Sequence, residues 1–248
     1  MMETTLDGFL DGRVMVRQPR HGYRAATDPV FLAASVPARG GDTVLELGCG
    51  VGVAALCLAH RVSGVQVTGI EVQPDYAALA RENAGLAGAD FEVITGDLTA
   101  PPADLRAMSF EHVMMNPPFF EDGEVSAPTD AGKSTAFVDA GDLTDWLDCG
   151  IKRLRPKGTL SIIHLAHRLP DILAGCAGRL GDIKVLPLVA RAGQDAKRVL
   201  VQGRKGTKGA FVLRTPFVIH EGASHRADGD DYSAAARVIL RGGGALNV

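Results

Sequence analysis

Two short segments hold residues whose types and spacing could do chemistry. In Glu46-Leu47-Gly48-Cys49-Gly50-Val51-Gly52, three glycines alternate with apolar residues directly after the strand-forming run Thr43–Leu47. Glycine lets a backbone turn sharply and come close to a ligand. A helix starting at Val53 then leaves that ligand across the carboxyl ends of the strands. In Asn116-Pro117-Pro118-Phe119 an amide is followed by two residues of fixed φ and an aromatic ring, again directly after a strand. The Asn116 side-chain oxygen and the Pro117 carbonyl are two acceptors that can hold both N–H bonds of a planar exocyclic amine. Phe119 and Phe120 offer faces on which a flat base can stack. Asn and Pro-Pro also simply end strands; here the motif follows the fourth strand of a chain that already carries a ligand loop.

The spacing of the first motif selects among nucleotide-type ligands. A dinucleotide site is built on G-x-G-x-x-G, with a bare helix N-terminus for the pyrophosphate. This chain has G-x-G-x-G, and Glu46 precedes it. An acidic residue suits a ligand with a cationic amine and no phosphate, so the reading is S-adenosylmethionine and not NAD. Glu71 ends the next strand, where a carboxylate accepts from both ribose hydroxyls. Asp97 follows the third strand, placed to accept from an adenine amino group. Asn116 closes the cofactor set at the fourth. An exocyclic nitrogen held by Asn116 needs no strong base before it attacks a sulfonium methyl, so positioning supplies most of the catalysis. Carbon methylation would call for a cysteine beside the acceptor, and none lies near residue 116.

These segments imply a scaffold. From Asp42 the chain alternates strand, loop and helix. The strands are expected at Thr43–Leu47, Gln66–Glu71, Phe91–Ile94, Glu111–Met115, Thr159–His164, Lys184–Val189 and Val199–Gln202. Helices are expected at Val53–His60, Asp75–Leu86, Leu143–Leu154 and Pro170–Leu180, with shorter pieces after residue 210 and a helix near Tyr232–Leu240. That alternation predicts an α/β, doubly wound, mainly parallel seven-stranded sheet covered on both faces. Residues 1–40 form an extension packed on this core, and 41–248 form the main domain, together a single domain. In the extension, Asp7-Gly8 and Asp11-Gly12 are turn pairs of a hairpin. Asp28 is the expected N-cap of a helix with Pro29 at its first position. The stretch 121–142 is polar and predicts a loop beside the acceptor motif.

Composition limits the partners. The 248 residues carry a net charge of −3, so any nucleic acid must be met by local basic patches. Arg13, Arg17, Arg20 and Arg24 occur over 13–24 with no acid. Over 184–208, seven basic residues face one acid, Asp195. A charge run is often only a solvated face; such segregation also suits phosphate contact. Within it, Arg204, Lys205 and Lys208 are expected at a hairpin tip that touches RNA. The four cysteines and seven histidines show no metal-ligand spacing, no metal is expected, and the cysteines suit a reducing, cytoplasmic location without a membrane span.

On these motifs the sequence resembles the class I S-adenosylmethionine-dependent methyltransferases over about 43–160. The Asn-Pro-Pro-aromatic group within them includes adenine-N6 methyltransferases of DNA and RNA, guanine-N2 methyltransferases of ribosomal RNA and glutamine-N5 methyltransferases of release factors. The lead-in Gln18–Arg24 through Asp28 and Leu32, and the series Val199–Gly203, Arg204–Lys208, Phe217–Glu221 and Tyr232, are similar to the bacterial valine-tRNA adenine-N6 methyltransferases. The resemblance implies N-methylation of an RNA base, an adenosine of tRNA foremost, with Tyr23 and Arg24 closing over cofactor or base. A protein glutamine amide stays open, although some 40 residues are few for a release-factor-docking domain. A catalytically silent RNA-binding module also stays open, and intact Glu71 and Asn116 speak against it.

Overall fold

The computed structural model describes residues 2–118, 142–222 and 231–248. The chain opens with a hairpin of β1 (Thr4–Phe9) and β2 (Val14–Pro19), followed by α1 (Asp28–Ser35). The central part runs β3 (Thr43–Leu47), α2 (Val53–Arg61), β4 (Gln66–Glu71), α3 (Pro74–Ala87), β5 (Phe91–Thr95), α4 (Ala103–Ala107) and β6 (Phe110–Met115). The remainder is α5 (Leu143–Arg153), β7 (Leu154–Leu165), α6 (Leu169–Cys176), β8 (Leu180–Val189), β9 (Arg198–Lys205), the two-residue β10 (Val212–Leu213) and β11 (Phe217–Val218), and α7 (Ala234–Leu240).

The seven expected strands form one sheet in the order β5-β4-β3-β6-β7-β9-β8. All are parallel except β9, which is antiparallel to both neighbours. β10 and β11 each add two residues to the outer edge of β8. Central strands are buried on both faces, which is why their sequences are nearly continuous apolar runs and not alternating ones. Along β3, Val44 packs into the cluster under α1, α2, α3 and α7. Its neighbour Leu45 packs into the opposite cluster under α4, α5 and α6. The order turns back on either side of β3, between β4 and β6. That is the point where open α/β sheets leave a crevice.

Several expectations move. Asp7-Gly8 lies inside β1, and the hairpin turns at Leu10–Gly12, with Leu10, Asp11 and Gly12 all at positive φ. Thr27, not Asp28, caps α1; the Asp28 carboxylate instead pairs with Arg198 at 3.0 Å, tying the extension to β9. Arg204–Lys208 is not a hairpin tip. β10 lies on the far side of β8 from β9, so the chain passes round the end of β8.

The extension is fastened by a residue that periodicity does not single out. Asn83 of α3 has no exposed surface. Its oxygen accepts from Arg17 N at 2.8 Å, and its amide donates to Arg17 O at 3.0 Å and Val51 O at 2.9 Å. One side chain thus couples the hairpin to the glycine loop. Asn83→Ala leaves three backbone groups without this partner, the Val51 carbonyl fully buried and the Arg17 pair partly so, and we expect a loss of about 2–3 kcal/mol in urea unfolding. A loss under about 1 kcal/mol would show that water takes over the role.

Candidate active site

The carboxyl ends of β3, β4, β5 and β6 gather Glu46 and the glycine loop, Glu71, Asp97 and Asn116-Pro117-Pro118. Gly48, Gly50 and Gly52 have φ of 62°, 54° and 90°. All three lie in the left-handed region, where a side chain is strained. Their surroundings differ. A Cβ on Gly48 would come 2.3 Å from the Trp146 ring, and one on Gly52 would come 2.6 Å from Phe91. One on Gly50 would meet nothing within 4 Å. The outer glycines therefore let helix and ring pack against the loop, while Gly50 faces open space.

Glu71 shapes this loop as well as facing it. One carboxylate oxygen accepts from Gly50 N and the other from Gln73 N, each at 2.9 Å. Cys49 N adds a bond to Ile70 O at 3.1 Å. Glu46 reaches under the turn, where its carboxylate accepts from Ala55 N of α2 at 3.0 Å. Both acids are buried, and among the described residues neither has a salt-bridge partner. Burial pushes the Glu71 carboxyl up against the pull of its backbone donors. Desolvation, opposed by the Ala55 N–H and reinforced by the Glu71 charge, pushes Glu46 up to about 8.

This gives a pH prediction. The folded value of Glu46 lies above the ordinary 4.5, so its contribution to stability is complete below pH 4.5 and is lost as pH rises through about 8. Glu46→Gln keeps an acceptor for Ala55 N without the charge. We expect the variant to gain stability relative to the parent between pH 5 and pH 8, read from urea midpoints; parallel curves would mean that Glu46 stays ionised in the fold.

Asn116 and Pro117 follow β6. The Asn116 side-chain oxygen is buried and, among the described residues, has no hydrogen-bond partner, an uncommon state for a buried acceptor. Two X-Pro steps restrict the backbone on both sides of Pro117, so this oxygen and the Pro117 carbonyl sit on a stiff turn. Asp97 is exposed, and one of its oxygens accepts from Thr99 N at 2.7 Å. Phe119 and Phe120 lie outside the described residues.

The other expected site residues divide. Tyr23 comes to the site. It is 45% exposed, and desolvation raises its pKa with help from the Asp28, Glu46, Tyr76 and Glu71 charges. Tyr76 steadies it by donating to the Tyr23 carbonyl at 3.2 Å. Arg24 does not come to the site: its guanidinium is used on Asp7, Thr5 and Pro19 O, inside the extension. Arg204, Lys205 and Lys208 lie at the opposite edge of the sheet, because β9 runs antiparallel and ends there. Met115 pairs with Ile162 and Arg204 with Thr159, so at about 3.3 Å per residue Arg204 lies about 13 Å down the strands from the acceptor turn, and two strands across from it. The Lys205 ammonium is also committed, donating to Leu154 O at 2.8 Å. The expected finger of three cations is thus replaced by a tie between β9 and the end of α5. Trp146 and Asn83, which shape the loop, carried no signal beyond an apolar helix face and a polar helix residue.

A loop with open space at Gly50 and two buried carboxylates lacking a cation fits a cationic nucleoside ligand, as S-adenosylmethionine is. The comparisons with known proteins agree. The family model described as "Methyltransferase small domain" matches residues 27–139. The chain is 27% identical over 205 residues to the tRNA1(Val) (adenine(37)-N6)-methyltransferase of Actinobacillus succinogenes, covering 82% of this chain and 85% of that one. It is 27% identical over 245 residues to the protein of the same name from Dickeya chrysanthemi, covering 94% and 92%. Among solved structures, a predicted O-methyltransferase from Agrobacterium tumefaciens superposes with a TM-score of 0.72 at 25% identity, over 89% of this chain and 99% of that one. Sheet order, glycine loop, acidic strand ends and relatives converge: the chain is similar to the class I S-adenosylmethionine-dependent methyltransferases.

Proposed function

We propose that this protein methylates the N6 amine of an adenosine in RNA, with tRNA as the substrate class. The observation that carries the reading is the Asn116 oxygen, buried at the end of β6 and without a partner among the described residues. A planar amine has two N–H bonds to place and a lone pair delocalised into its ring. Asn116 takes one N–H, the Pro117 carbonyl takes the other, and the nitrogen is biased towards tetrahedral geometry. S-adenosylmethionine, when bound, supplies a methyl on a positively charged sulfur. Glu71 favours that charge, Glu46 does so once the cation draws off its proton, and the glycine loop holds the nucleoside part against the strand ends. The rigid turn does the orienting, and orientation of this kind is worth several kcal/mol of barrier.

The names of the Actinobacillus and Dickeya relatives support an adenine of tRNA over a guanine of ribosomal RNA or a glutamine amide. Among the described residues no helix is long and apolar enough to cross a membrane. The test is incubation of the protein with radiolabelled S-adenosylmethionine and total RNA from a strain lacking the enzyme, then nucleoside chromatography of the separated RNA fractions. Label is expected as N6-methyladenosine in tRNA. Label in N2-methylguanosine, in ribosomal RNA or only in protein would overturn the substrate reading and leave the methyltransferase assignment standing.

A further inference from the structure

At the edge of the sheet opposite the glycine loop lies a cavity of about 800 Å³ that the methyl-transfer reading does not use. Its lining carries five cationic side chains against three carboxylates, an excess of two positive charges. Two of the carboxylates are matched: Glu111 pairs with Arg155, and Asp182 with Arg204 at 3.8 Å. The third, Asp42, accepts from Arg39 N and lies 3.1 Å from His112 Nε2. Among the described residues the Arg39 guanidinium and the Lys157 ammonium make no side-chain hydrogen bond or close ion pair, although the Arg39 charge is felt by Asp42 at longer range. His112, 8% exposed and part of the same lining, has an Nδ1 without a partner.

The backbone around this cavity is irregular at two places. Phe110 pairs with Leu154 while His112 pairs with Thr159, so Arg155–Gly158 bulge out of β7. Gly181 pairs with Arg204 while Lys184 pairs with Gln202, so Asp182 and Ile183 bulge out of β8. Each bulge holds a non-glycine residue in the left-handed region, Lys157 at φ 65° and Asp182 at φ 51°. Outside the β1–β2 turn these are the only such residues among those described. Bulges re-aim side chains, and strain of this kind gathers at binding sites. A lysine held at positive φ, where glycine would be easier, is a cation placed at some expense in stability.

We propose that this cavity is an oxyanion site that takes phosphate groups, with Lys157 and Arg39 as its free cations. The phosphates come either from a free oligophosphate or from the backbone of an RNA stem that runs along the protein from the acceptor edge. Only the second source rests on the proposed RNA substrate. Arg204, which the sequence suggests as an RNA contact, then serves a phosphate at the opposite end of the strands from the methyl-transfer turn.

The test uses the whole protein, its Arg39→Gln/Lys157→Gly double variant, and sodium pyrophosphate in isothermal titration at low salt. Lys157→Gly relieves the positive φ, so the variant keeps its melting temperature and its affinity for S-adenosylmethionine. Pyrophosphate is expected to bind the parent and to lose roughly tenfold in affinity for each cation removed. RNA binding is then measured against salt. A slope lower by about one per lost contact identifies RNA as the phosphate source. Lost pyrophosphate binding with an unchanged slope identifies a free oligophosphate. Absence of pyrophosphate binding to the parent, or equal affinity in the double variant, overturns the site whatever the RNA substrate proves to be.

Discussion

Replacing Asn116 by alanine is expected to lower the rate of methyl transfer by about 10²–10³-fold, the loss typical of deleting one preorganised contact to a reacting group. Affinity for S-adenosylmethionine should stay within about twofold, since each 1.4 kcal/mol of lost binding would appear as a factor of ten. The asymmetry follows from where the side chain stands. Its oxygen is left unpaired by the described residues, so its hydrogen bond forms when the acceptor amine arrives. Removing it also relieves a buried polar atom of its desolvation, so the variant should unfold no more easily than the parent. Single-turnover transfer to tRNA, with cofactor binding followed through the fluorescence of Trp146 on the glycine loop, separates the two quantities. Transfer intact in Asn116→Ala would mean that another group orients the amine. Equal losses in cofactor affinity and transfer would move Asn116 from the acceptor to the cofactor.

The sequence was informative where chemistry constrains local residue types. Three glycines at alternate positions follow from a loop with three left-handed residues, and each proves to have such a φ. The acidic strand ends Glu71 and Asp97 were legible because a parallel sheet sets all its carboxyl ends on one edge, so linear order maps directly onto the site. The same map fails for the basic run at 184–208. A local count of charge is blind to strand direction, and β9 alone runs the other way, which sends Arg204 and Lys205 to the far edge. Arg24 fails for a different reason: its partner Asp7 lies on β1, 17 residues back, and the two meet only because the segment after β2 folds back over the hairpin. Trp146 and Asn83 were silent because their roles arise from contacts across the fold, with Gly48 in one case and Arg17 in the other.

That distinction bears on Glu71, whose two roles predict different outcomes. A carboxylate that served only to accept from ribose hydroxyls would leave the empty protein indifferent to its loss. Here its two oxygens also hold Gly50 N and Gln73 N, so Glu71→Ala releases the middle of the glycine loop before any ligand arrives. We expect cofactor affinity to fall by about 1–3 kcal/mol from the lost charge-assisted bonds, or roughly 5- to 150-fold. Trp146 fluorescence of the ligand-free protein should change as well, because the ring packs on Gly48 in the same loop. Glu71→Gln separates the contributions. It retains one acceptor oxygen, so it should keep much of the loop's shape while losing the charge that favours a cationic ligand. Its deficit should therefore be larger for S-adenosylmethionine than for S-adenosylhomocysteine, which lacks the sulfonium charge. Equal deficits for the two ligands would assign Glu71 to loop geometry alone and leave Glu46 as the acid that recognises charge.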